Sequence, residues 1–483
     1  MKLLSENEEK LPDQLTFKKS SFSEWYNQLL SLTEIIDKRY DVKGMYVWKS
    51  YGLELMKRIQ SVWDRIYRES GIEEMYFPQI VPLKYAQMNA KWFEGFQKEV
   101  FWVKGFEDDE ASHILRPTGE PAMYPLFKLW IRSHTDLPLR IYETVSSFRY
   151  ETKHTRSLIR DREIAFWYEI HTAHATKEES VQEVEEHLRL NDIIWDHLAV
   201  PALKVKKPQW ECFPGAEGAI EYYNIMPDGR LLENGSVNNL GQAYAKEFDI
   251  KYRDPEGTDY YVWQICTGNG ARFLVAAIAQ HGDDRGLVIP PKIAPIQVVI
   301  VPIIFKDSKN RVITKSKELK KQLEEYNIRV HLDLREESVG SKFYQWELKG
   351  IPLRFEIGPK DLEKETYTIY RRDKHEKSTI HQQNALSTTL ELLDDIQKTL
   401  RKQAETFYSE MIVHVEKSEV LAKITKKKVA QVFWCESGEC WDEIKRLEEG
   451  IELVGTLLDQ QKSGDCIVCE TPTNMQGLVA RTY

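Results

Sequence analysis

The most informative part of the sequence is Phe148-Arg149-Tyr150-Glu151, followed by Thr155-Arg156 and Arg160-Asp161-Arg162-Glu163. It places four arginines within residues 148–163, between apolar flanks. The guanidinium group is a planar fork of donors that matches phosphate and carboxylate oxygens. The stretch therefore predicts a site for a polyanion, such as a nucleotide triphosphate, and not a packed core.

A second motif, Gly268-x-Gly270-x-Arg272, precedes an apolar run with helical character, Phe273 to Ala279. Two glycines let the backbone approach a ligand closely, and Arg272 would project from the start of the helix. Each motif alone is a weak signal, since surface arginine and glutamate pairs are common and mostly solvated. The interpretation as a ligand site depends on the presence of both motifs in this order in one chain.

In this order the two motifs resemble motifs 2 and 3 of the class II aminoacyl-tRNA synthetases. The resemblance implies that Arg149 contacts the α-phosphate of ATP and Arg272 the γ-phosphate, which makes them the two predicted catalytic residues. A motif 1 candidate is the helical pattern from Gly52 to Ser70, which leads into Tyr76-Phe77-Pro78. In class II enzymes this helix and proline build the dimer interface, so a homodimer is expected.

Longer strings narrow the family, namely Leu115 to Glu120, His171 to Thr176, His281 to Pro295 and Lys342 to Leu362. They resemble the archaeal and eukaryotic type of prolyl-tRNA synthetase, and the similarity runs from about Phe22 to the last residue. The resemblance implies ATP-dependent activation of proline to prolyl-adenylate and transfer to tRNA(Pro). The expected partners are tRNA and proline or a related amino acid.

A chain of 483 residues exceeds one ordinary core and predicts two or three domains. The resemblance implies an α+β catalytic domain with an antiparallel sheet (residues 1–291), an α/β anticodon-binding domain (292–395) and a small zinc-binding α+β domain (396–483). Prolines at 290, 291 and 295 mark the first linker. After them, strands and helices alternate, which predicts a mixed sheet.

Composition sets further limits on function. The net charge of -9 argues against a general nucleic-acid coat but leaves room for a local tRNA surface. The sequence shows no signal peptide and no apolar run of about twenty residues, so no membrane partner is expected. A cytoplasmic location is the resulting expectation.

Six cysteines in this length do not form a disulfide scaffold. Four of them, Cys435, Cys440, Cys466 and Cys469, have a paired spacing that suits tetrahedral coordination of Zn²⁺. Such a site is closed by its four protein ligands and is therefore structural. Reduced surface cysteines are the alternative interpretation.

The resemblance also implies roles around ATP. Attack of a carboxylate on the α-phosphate needs charge neutralisation and in-line positioning, which explains the arginines. Arg160 or Arg162 would hold the outer phosphates together with Arg272, and Glu151 would receive the adenine or orient its neighbouring arginine. Magnesium bridging the phosphates is expected, with Glu221 or Glu233 as its carboxylate ligand.

For the amino acid, the family holds the substrate ammonium with residues that match Thr118 and Glu120. The other predicted contacts are the ring-pocket residues Trp167, Glu169 and His171, the closing residue Phe213, and Arg149 and Asn238. The alternative is that the buried tryptophan and histidine are packed core.

The chain departs from the family at predicted pocket positions. Where the family reads Trp-Gln-Glu-Gly-His, this chain has Ile170 in place of the glycine, and Asn238 replaces a histidine. Motif 3 begins with Cys266 to Ala271 in place of a bulkier run, and Tyr150 stands where tryptophan is frequent. The stretch from Glu163 to His171 is also one residue longer, which would flip side chains or require a bulge.

Three hypotheses follow from these departures, because several small changes in a pocket can together replace its substrate. The first is a divergent prolyl-tRNA synthetase. The second is a paralogue that adenylates another amino acid for transfer to a tRNA, a carrier or a small amine. The third is a regulatory or tRNA-binding pseudo-synthetase. Independently, Tyr483 is expected to dock near the active site, so that residues appended after it depress activity.

Overall fold

The computed structural model describes residues 14–106, 108–152, 155–305, 307–458 and 462–483. The first part of the chain contains eight α-helices in this described region: α1 (Phe22–Leu32), α2 (Ser50–Glu69), α3 (Leu83–Ala86), α4 (Ala90–Phe96), α5 (Glu120–Trp130), α6 (Lys177–Leu198), α7 (Ala243–Glu247) and α8 (Arg272–His281). Its strands are β1 (Ile36–Asp37), β2 (Val47–Trp48), β3 (Glu73–Glu74), β4 (Ile80–Pro82), β5 (Phe101–Val103), β6 (His113–Leu115), β7 (Leu139–Phe148), β8 (Glu163–His174), β9 (Leu203–Lys206), β10 (Gly218–Ile225), β11 (Leu231–Gly241), β12 (Lys251–Arg253), β13 (Asp259–Tyr261) and β14 (Trp263–Asn269).

The middle of the chain forms β15 (Val298–Pro302), α9 (Lys309–Glu324), β16 (Val330–Leu332), α10 (Val339–Leu348), β17 (Leu353–Ile357), α11 (Pro359–Glu363), β18 (Thr366–Arg371), β19 (Glu376–His381) and α12 (Ala385–Met411). The remainder forms β20 (Ile412–His414), α13 (Leu421–Ile424), β21 (Val429–Phe433), α14 (Gly438–Arg446), β22 (Ile451–Leu457), β23 (Gly464–Asp465), β24 (Pro472–Thr473) and β25 (Gln476–Arg481). Short 3-10 helices span His134–Asp136, Gln209–Glu211, Gln382–Asn384 and Ser418–Val420.

The largest sheet has eleven strands in the order β20-β21-β25-β22-β9-β10-β11-β14-β8-β7-β3. Its centre, from β9 to β7, is antiparallel throughout, as predicted for the catalytic domain. The predicted motif 1 helix is α2, and its apolar residues at helical spacing, including Leu55, Ile59 and Trp63, are buried. The helix α6 begins at a capping box between Thr176 and Glu179.

The middle of the chain forms its own five-stranded sheet, in the order β16-β15-β17-β18-β19. Strand β15 is parallel to β16 and β17, whereas β17, β18 and β19 are antiparallel. This is the mixed sheet that the alternating pattern predicts. Its strands and helices enclose a separate apolar core that includes Val298, Leu319, Phe355 and Leu400.

Four of the last strands, β20, β21, β22 and β25, join the central sheet, whereas the short strands β23 and β24 pair with each other. Strand β22 pairs with β9, with Thr456 opposite Lys206 and Leu457 opposite Val205, so the C-terminal strands extend the central sheet. Tyr408 of α12 supports this junction, because its hydroxyl accepts a hydrogen bond from the backbone N–H of Ile225 at 3.0 Å. The C-terminal region is therefore continuous with the sheet that carries the site.

None of the helices in the described part of the chain combines the length and the apolar composition needed to cross a membrane.

Candidate active site

One cleft lies on the face of the central sheet opposite α2 and α8. Alternation along β8 sends Trp167, Glu169 and His171 into the cleft, while Tyr168 and Ile170 enter the core on the other face. The predicted site residues that line the cleft are Thr118, Glu120, Arg149, Glu151, Arg160, Trp167, Glu169, His171, Phe213, Glu221, Glu233, Asn238 and Arg272.

Arg162 is the predicted ATP ligand that is not among the lining residues. Its guanidinium lies 4.0 Å from the centre of the Tyr150 ring and donates from Nη2 to the backbone oxygen of Glu151 at 3.2 Å. The geometry shows it supporting the segment that carries Glu151.

The carboxylate of Glu169 is the centre of the buried end of the cleft. Its Oε2 accepts hydrogen bonds from the backbone N–H of Gly119 at 2.6 Å and from the Thr118 hydroxyl at 3.2 Å. His171 Nε2 lies 3.0 Å from the same oxygen, and Trp167 Nε1 donates to Oε1. One carboxylate therefore orients four neighbouring groups.

Two carboxyl groups of this end have opposite pKa shifts. Burial raises the pKa of Glu120, although His171 opposes the change. Burial also disfavours the charge on Glu169, but the hydrogen bond with His171 and the positive charge of Arg116 outweigh it and lower the pKa of Glu169. The His171 pKa is raised, because the bond to Glu169 and the charge of Glu120 exceed the cost of burial. A cationic nitrogen in this pocket would favour the ionised form of Glu120, whose charge burial otherwise disfavours.

Sequence reasoning missed Tyr124, whose hydroxyl lies 2.9 Å from His171 Nδ1 and fixes the imidazole from the other side. Tyr124 is four residues after Glu120 on α5, so helical spacing could have found it. It also missed the buried pair of Arg116 and Glu143, which supports the segment before Thr118.

The opposite end of the cleft carries the predicted phosphate-binding arginines. Arg272 is the first residue of α8, and its Nη1 donates to the side chain of Glu233 at 2.8 Å. Its Nε donates to the backbone oxygen of Ile159 at 3.0 Å. Arg149 donates from Nε to the backbone oxygen of Pro117 at 3.3 Å, and its guanidinium carbon lies 5.6 Å from the Trp167 ring centre.

Glu221 and Glu233 lie on the adjacent strands β10 and β11. Burial raises the pKa of Glu221, and the nearby charge of Glu233 raises it further. The pKa of Glu233 is lowered in spite of burial, because Arg272 stabilises the carboxylate. A divalent cation bound by both carboxylates would relieve the repulsion between Glu221 and Glu233.

Tyr483 docks near this end of the cleft. Its hydroxyl donates to Asp228 at 2.6 Å, and its ring lies 4.8 Å from the Arg156 guanidinium carbon. Arg160 donates from Nη2 to the main-chain oxygen of Tyr483 at 3.3 Å. The contacts confirm the docking that the sequence predicts.

The extra residue of β8 forms a bulge. The register shifts between Val145 and Ser147 of β7, which oppose Trp167 and Ile164. Phe166 lies inside the bulge at φ 55°. One inserted residue restores the alternation after it, so Trp167, Glu169 and His171 keep their direction into the cleft.

The prediction that Ile170 reshapes the pocket is wrong. The side chain is fully buried in the core beneath the sheet, on the face opposite the cleft. The changed positions that do line the cleft are Asn238 and the motif 3 segment. Asn238 lies directly opposite Cys266, and its Nδ2 is 2.9 Å from Ser236 Oγ and 3.7 Å from Cys266 Sγ.

Gly268 allows a close approach in motif 3. A Cβ atom at this position would lie 2.6 Å from Cζ2 of Trp167. Because Gly268 has no side chain, the indole of Trp167 can pack directly against the backbone of motif 3.

Family models match three successive segments of the chain. "tRNA synthetase class II core domain (G, H, P, S and T)" matches residues 101–281, "Anticodon binding domain" residues 297–392, and "Prolyl-tRNA synthetase, C-terminal" residues 417–483. The Proline--tRNA ligase of Methanopyrus kandleri is 41% identical over 468 residues, covering 96% of both chains. That of Pyrococcus abyssi is 42% identical over 474 residues, covering 96% of this chain and 98% of the relative.

The chain belongs to the prolyl-tRNA synthetase family. A solved structure of a prolyl-tRNA synthetase, "Giardia lamblia Prolyl-tRNA synthetase in complex with prolyl-adenylate", superimposes with a TM-score of 0.93 at 32% identity. The match covers 98% of this chain and 100% of that chain.

This prolyl-tRNA synthetase family member also brings its four predicted cysteine ligands together. The sulfur atoms of Cys435, Cys440, Cys466 and Cys469 all lie within 4.8 Å of one another. The distances are 3.5 Å from Cys435 to Cys440, 3.9 Å from Cys440 to Cys466, and 3.6 Å from Cys435 to Cys469.

An apolar groove follows the motif 1 segment of this family member. Tyr76, Phe77 and Pro78 line it together with Ile80 and Trp130. The side chains of Tyr76 and Ile80 are 74% and 48% exposed, which is unusual for large apolar residues so close together.

Proposed function

We propose that the protein is a proline--tRNA ligase, which activates proline with ATP to prolyl-adenylate and transfers the prolyl group to tRNA(Pro). The observation that carries the proposal is a single cleft with an anionic, hydrogen-bonded pocket around Glu169 at one end and Arg149 and Arg272 at the other. An amino acid bound by its ammonium in the pocket would direct its carboxylate toward the arginines. Adenylate formation needs this arrangement, because the carboxylate of the amino acid must lie close to the α-phosphate of ATP.

The arginines act on ATP by charge and position. Arg149 neutralises negative charge that develops at the α-phosphate, and Arg272 and Arg160 hold the outer phosphates. Glu151 lines the same end and receives the adenine or orients Arg160, whose Nη1 lies 4.0 Å from its carboxylate. Arg162 acts indirectly, through Tyr150 and the backbone of Glu151.

Glu233, with Glu221 beside it, would hold a magnesium ion. Oxygen donors from carboxylates and phosphates are the ligands that Mg²⁺ prefers. The ion would neutralise phosphate charge, and Arg272 already keeps Glu233 ionised for this purpose.

The amino acid binds at the other end. Thr118 and Glu120 hold the ammonium group, and the Thr118 hydroxyl already lies 2.6 Å from the Glu120 carboxylate. Trp167, His171 and Phe213 surround the ring. Glu169 orients this set, and Asn238 and Arg149 complete it.

The lining of the cleft favours proline as the substrate over the different amino acid of the paralogue hypothesis. Ile170 lies in the core, so the departures that reach the pocket are fewer than the sequence suggests. Asn238 and Cys266 remain as changed lining residues and support the second candidate, a synthetase for another amino acid. The pseudo-synthetase is disfavoured, because Arg149 and Arg272 both line the cleft.

The four cysteines fit a structural Zn²⁺ ion. A tetrahedron with Zn–S bonds of about 2.3 Å has sulfur–sulfur edges of about 3.8 Å. The observed separations of 3.5, 3.6 and 3.9 Å bracket that value. The ion would stabilise the C-terminal region by linking α14 to the turn between β23 and β24.

The apolar groove beside motif 1 supports a homodimer. Exposed Tyr76 and Ile80 would gain most from burial against a second copy of the chain. A cytoplasmic location stays a prediction from the sequence.

Aminoacylation of tRNA transcripts with radioactive amino acid tests the proposal. Proline should be transferred to tRNA(Pro) but not to a tRNA with a non-proline anticodon, since residues 297–392 match an anticodon binding domain. Activation of proline without transfer to any tRNA would favour a carrier or small amine as acceptor. Transfer of a different amino acid would support the paralogue.

A further inference from the structure

Residues 207–217 form a loop, called the lining loop below, that joins β9 to β10 and contributes one side of the cleft. Three successive residues, Glu211, Cys212 and Phe213, line the cleft. Phe213 is the residue proposed above to cover the amino-acid ring. The position of this loop therefore sets the size of the pocket.

The two ends of the loop are tied to the sheet, because the N–H of Lys207 donates to the oxygen of Ala219 at 2.9 Å and the N–H of Glu217 donates to the oxygen of Asn239 at 2.8 Å. Between these ends the backbone bonds are local: the N–H of Glu211 donates to the oxygen of Pro208 at 3.0 Å, and the N–H of Ala216 donates to the oxygen of Phe213 at 2.9 Å. The local bonds fix the shape of residues 208–216, and side-chain contacts fix the place of these residues relative to the cleft. On its inner side Cys212 and Phe213 pack against the apolar core next to the cleft.

On its outer side the loop contacts α14. The rings of Trp210 and Trp441 meet edge to face, with centroids 6.0 Å apart at 82°. Lys445 Nζ lies 3.4 Å from the Glu211 carboxylate. Trp210 and Glu211 both lie within three residues of Phe213. The helix α14 therefore supports the segment that closes the pocket.

A third contact connects α14 to the far end of the cleft. Lys207 Nζ lies 6.0 Å from the centre of the Trp441 ring and 3.3 Å from the carboxylate of Glu221. The Lys207 side chain is only 10% exposed. The indole of Trp441 thus meets the loop at its first residue as well as at Trp210.

The helix α14 is itself a fixed support. Trp441 is buried and packs against Trp434 at 5.8 Å, and Trp434 donates to Thr456 of β22 at 3.1 Å. The neighbouring residue Cys440 belongs to the four-cysteine cluster. The helix α14, the cysteine cluster and the extended sheet contact one another behind the lining loop.

We propose that Trp441 and Lys445 of α14, with Trp210 and Glu211 of the loop, are positioning residues for amino-acid binding. They hold Phe213 over the pocket, so the C-terminal region sets the affinity for the amino acid without touching it. The proposal rests on the proposed function, since it assigns these residues to the same pocket.

The kinetic test compares Trp210→Ala with wild type in ATP–pyrophosphate exchange. An edge-to-face pair of this kind changes affinity by about 3- to 10-fold, so KM for proline should rise by that factor, with kcat and KM for ATP within twofold. Trp210→Phe should restore KM, and Lys445→Ala should raise it more weakly. The matched control is Trp102→Ala, because Trp102 is exposed to the same extent but lies on β5, outside the lining loop.

A second measurement does not depend on activity. Cys212 lies in the loop, so its rate of alkylation by iodoacetamide, read by peptide mass spectrometry, reports how firmly the loop is held. Trp210→Ala and Lys445→Ala should accelerate alkylation of Cys212, whereas Trp102→Ala should not. If the wild-type protein shows no proline-dependent ATP–pyrophosphate exchange, the proposed function is refuted, and the positioning role is then judged by the alkylation of Cys212. If wild type is active, the positioning role would be overturned by an unchanged KM for proline in Trp210→Ala. It would also be overturned by an unchanged rate of Cys212 alkylation in both Trp210→Ala and Lys445→Ala.

Discussion

Replacing Glu169 by glutamine changes one charge at the centre of the pocket while keeping its shape. In the wild-type protein Oε1 accepts from the indole N–H of Trp167, and Oε2 accepts from the backbone N–H of Gly119. An amide keeps one acceptor oxygen and turns the other into an NH₂ donor. Whichever way the glutamine is turned, its NH₂ group therefore faces an N–H donor.

The magnitude follows from the hydrogen bond that is lost. A hydrogen bond to a charged group contributes about 1.5–3 kcal/mol, which is about a 10- to 150-fold change in an equilibrium constant. The lost bond displaces either Trp167 from the ring or Gly119 from its place beside the ammonium-binding Thr118. We therefore expect KM for proline to rise within that range. KM for ATP should change less than KM for proline, since Arg272 and Arg160 keep their contacts.

The assay is ATP–pyrophosphate exchange for Glu169→Gln, with Glu151→Gln as the matched control. Glu151 is a cleft carboxylate at the nucleotide end, so its amide should affect KM for ATP and leave KM for proline near the wild-type value. In the wild-type protein, KM for proline should also fall as the pH rises, because burial raises the pKa of Glu120 and delays the ionisation of this carboxyl group. An unchanged proline KM, or equal effects on proline and ATP, would refute the assignment of Glu169 to the amino-acid pocket.

The other predictions concern packing, metal and pH. Gly268→Ala places a Cβ 2.6 Å from the Trp167 ring, and overpacking of about 1–3 kcal/mol should lower kcat/KM for proline at least about fivefold, as measured by exchange. Cys440→Ser should remove zinc, as measured by elemental analysis, and lower the melting temperature; unchanged zinc content would contradict the cluster. Burial lowers the pKa of His281 from 6.5 to about 4, so the unfolded chain binds the proton first as the pH falls. The contribution of His281 to stability is therefore complete above pH 6.5 and is lost toward pH 4 by about 3 kcal/mol. Urea unfolding should show a shallower loss of stability over this range in His281→Asn than in wild type, and the remaining slope includes His174, whose pKa burial also lowers to about 4.

Much of the site is predictable from local sequence, because strand periodicity and motif order are local properties. The alternation along β8 predicts that Trp167, Glu169 and His171 share one face, and the structure places them so. The same rule, applied to Ile170, would have placed it in the core beneath the sheet. The change from the family's glycine to Ile170 lies on the core face of β8 and leaves the lining of the pocket unaltered.

Contacts between distant segments could not be predicted in this way. The pairing of β22 with β9 depends on which strand edges are left open after folding, and periodicity carries no information on partners. The contact of Trp210 with Trp441 joins residues more than two hundred positions apart. The position of Arg162 beside Tyr150 likewise depends on the turn that follows β7.

The central claim is that one cleft activates proline with ATP, and its most direct test is ATP–pyrophosphate exchange by the purified protein against all twenty amino acids. The predicted result is exchange that depends on proline and is lost in Arg272→Gln, because Arg272 holds the outer phosphates at the start of α8. Exchange that depends on another amino acid would contradict the claim and assign the pocket of Asn238 and Cys266 to a different substrate. No exchange with any amino acid would contradict catalysis itself.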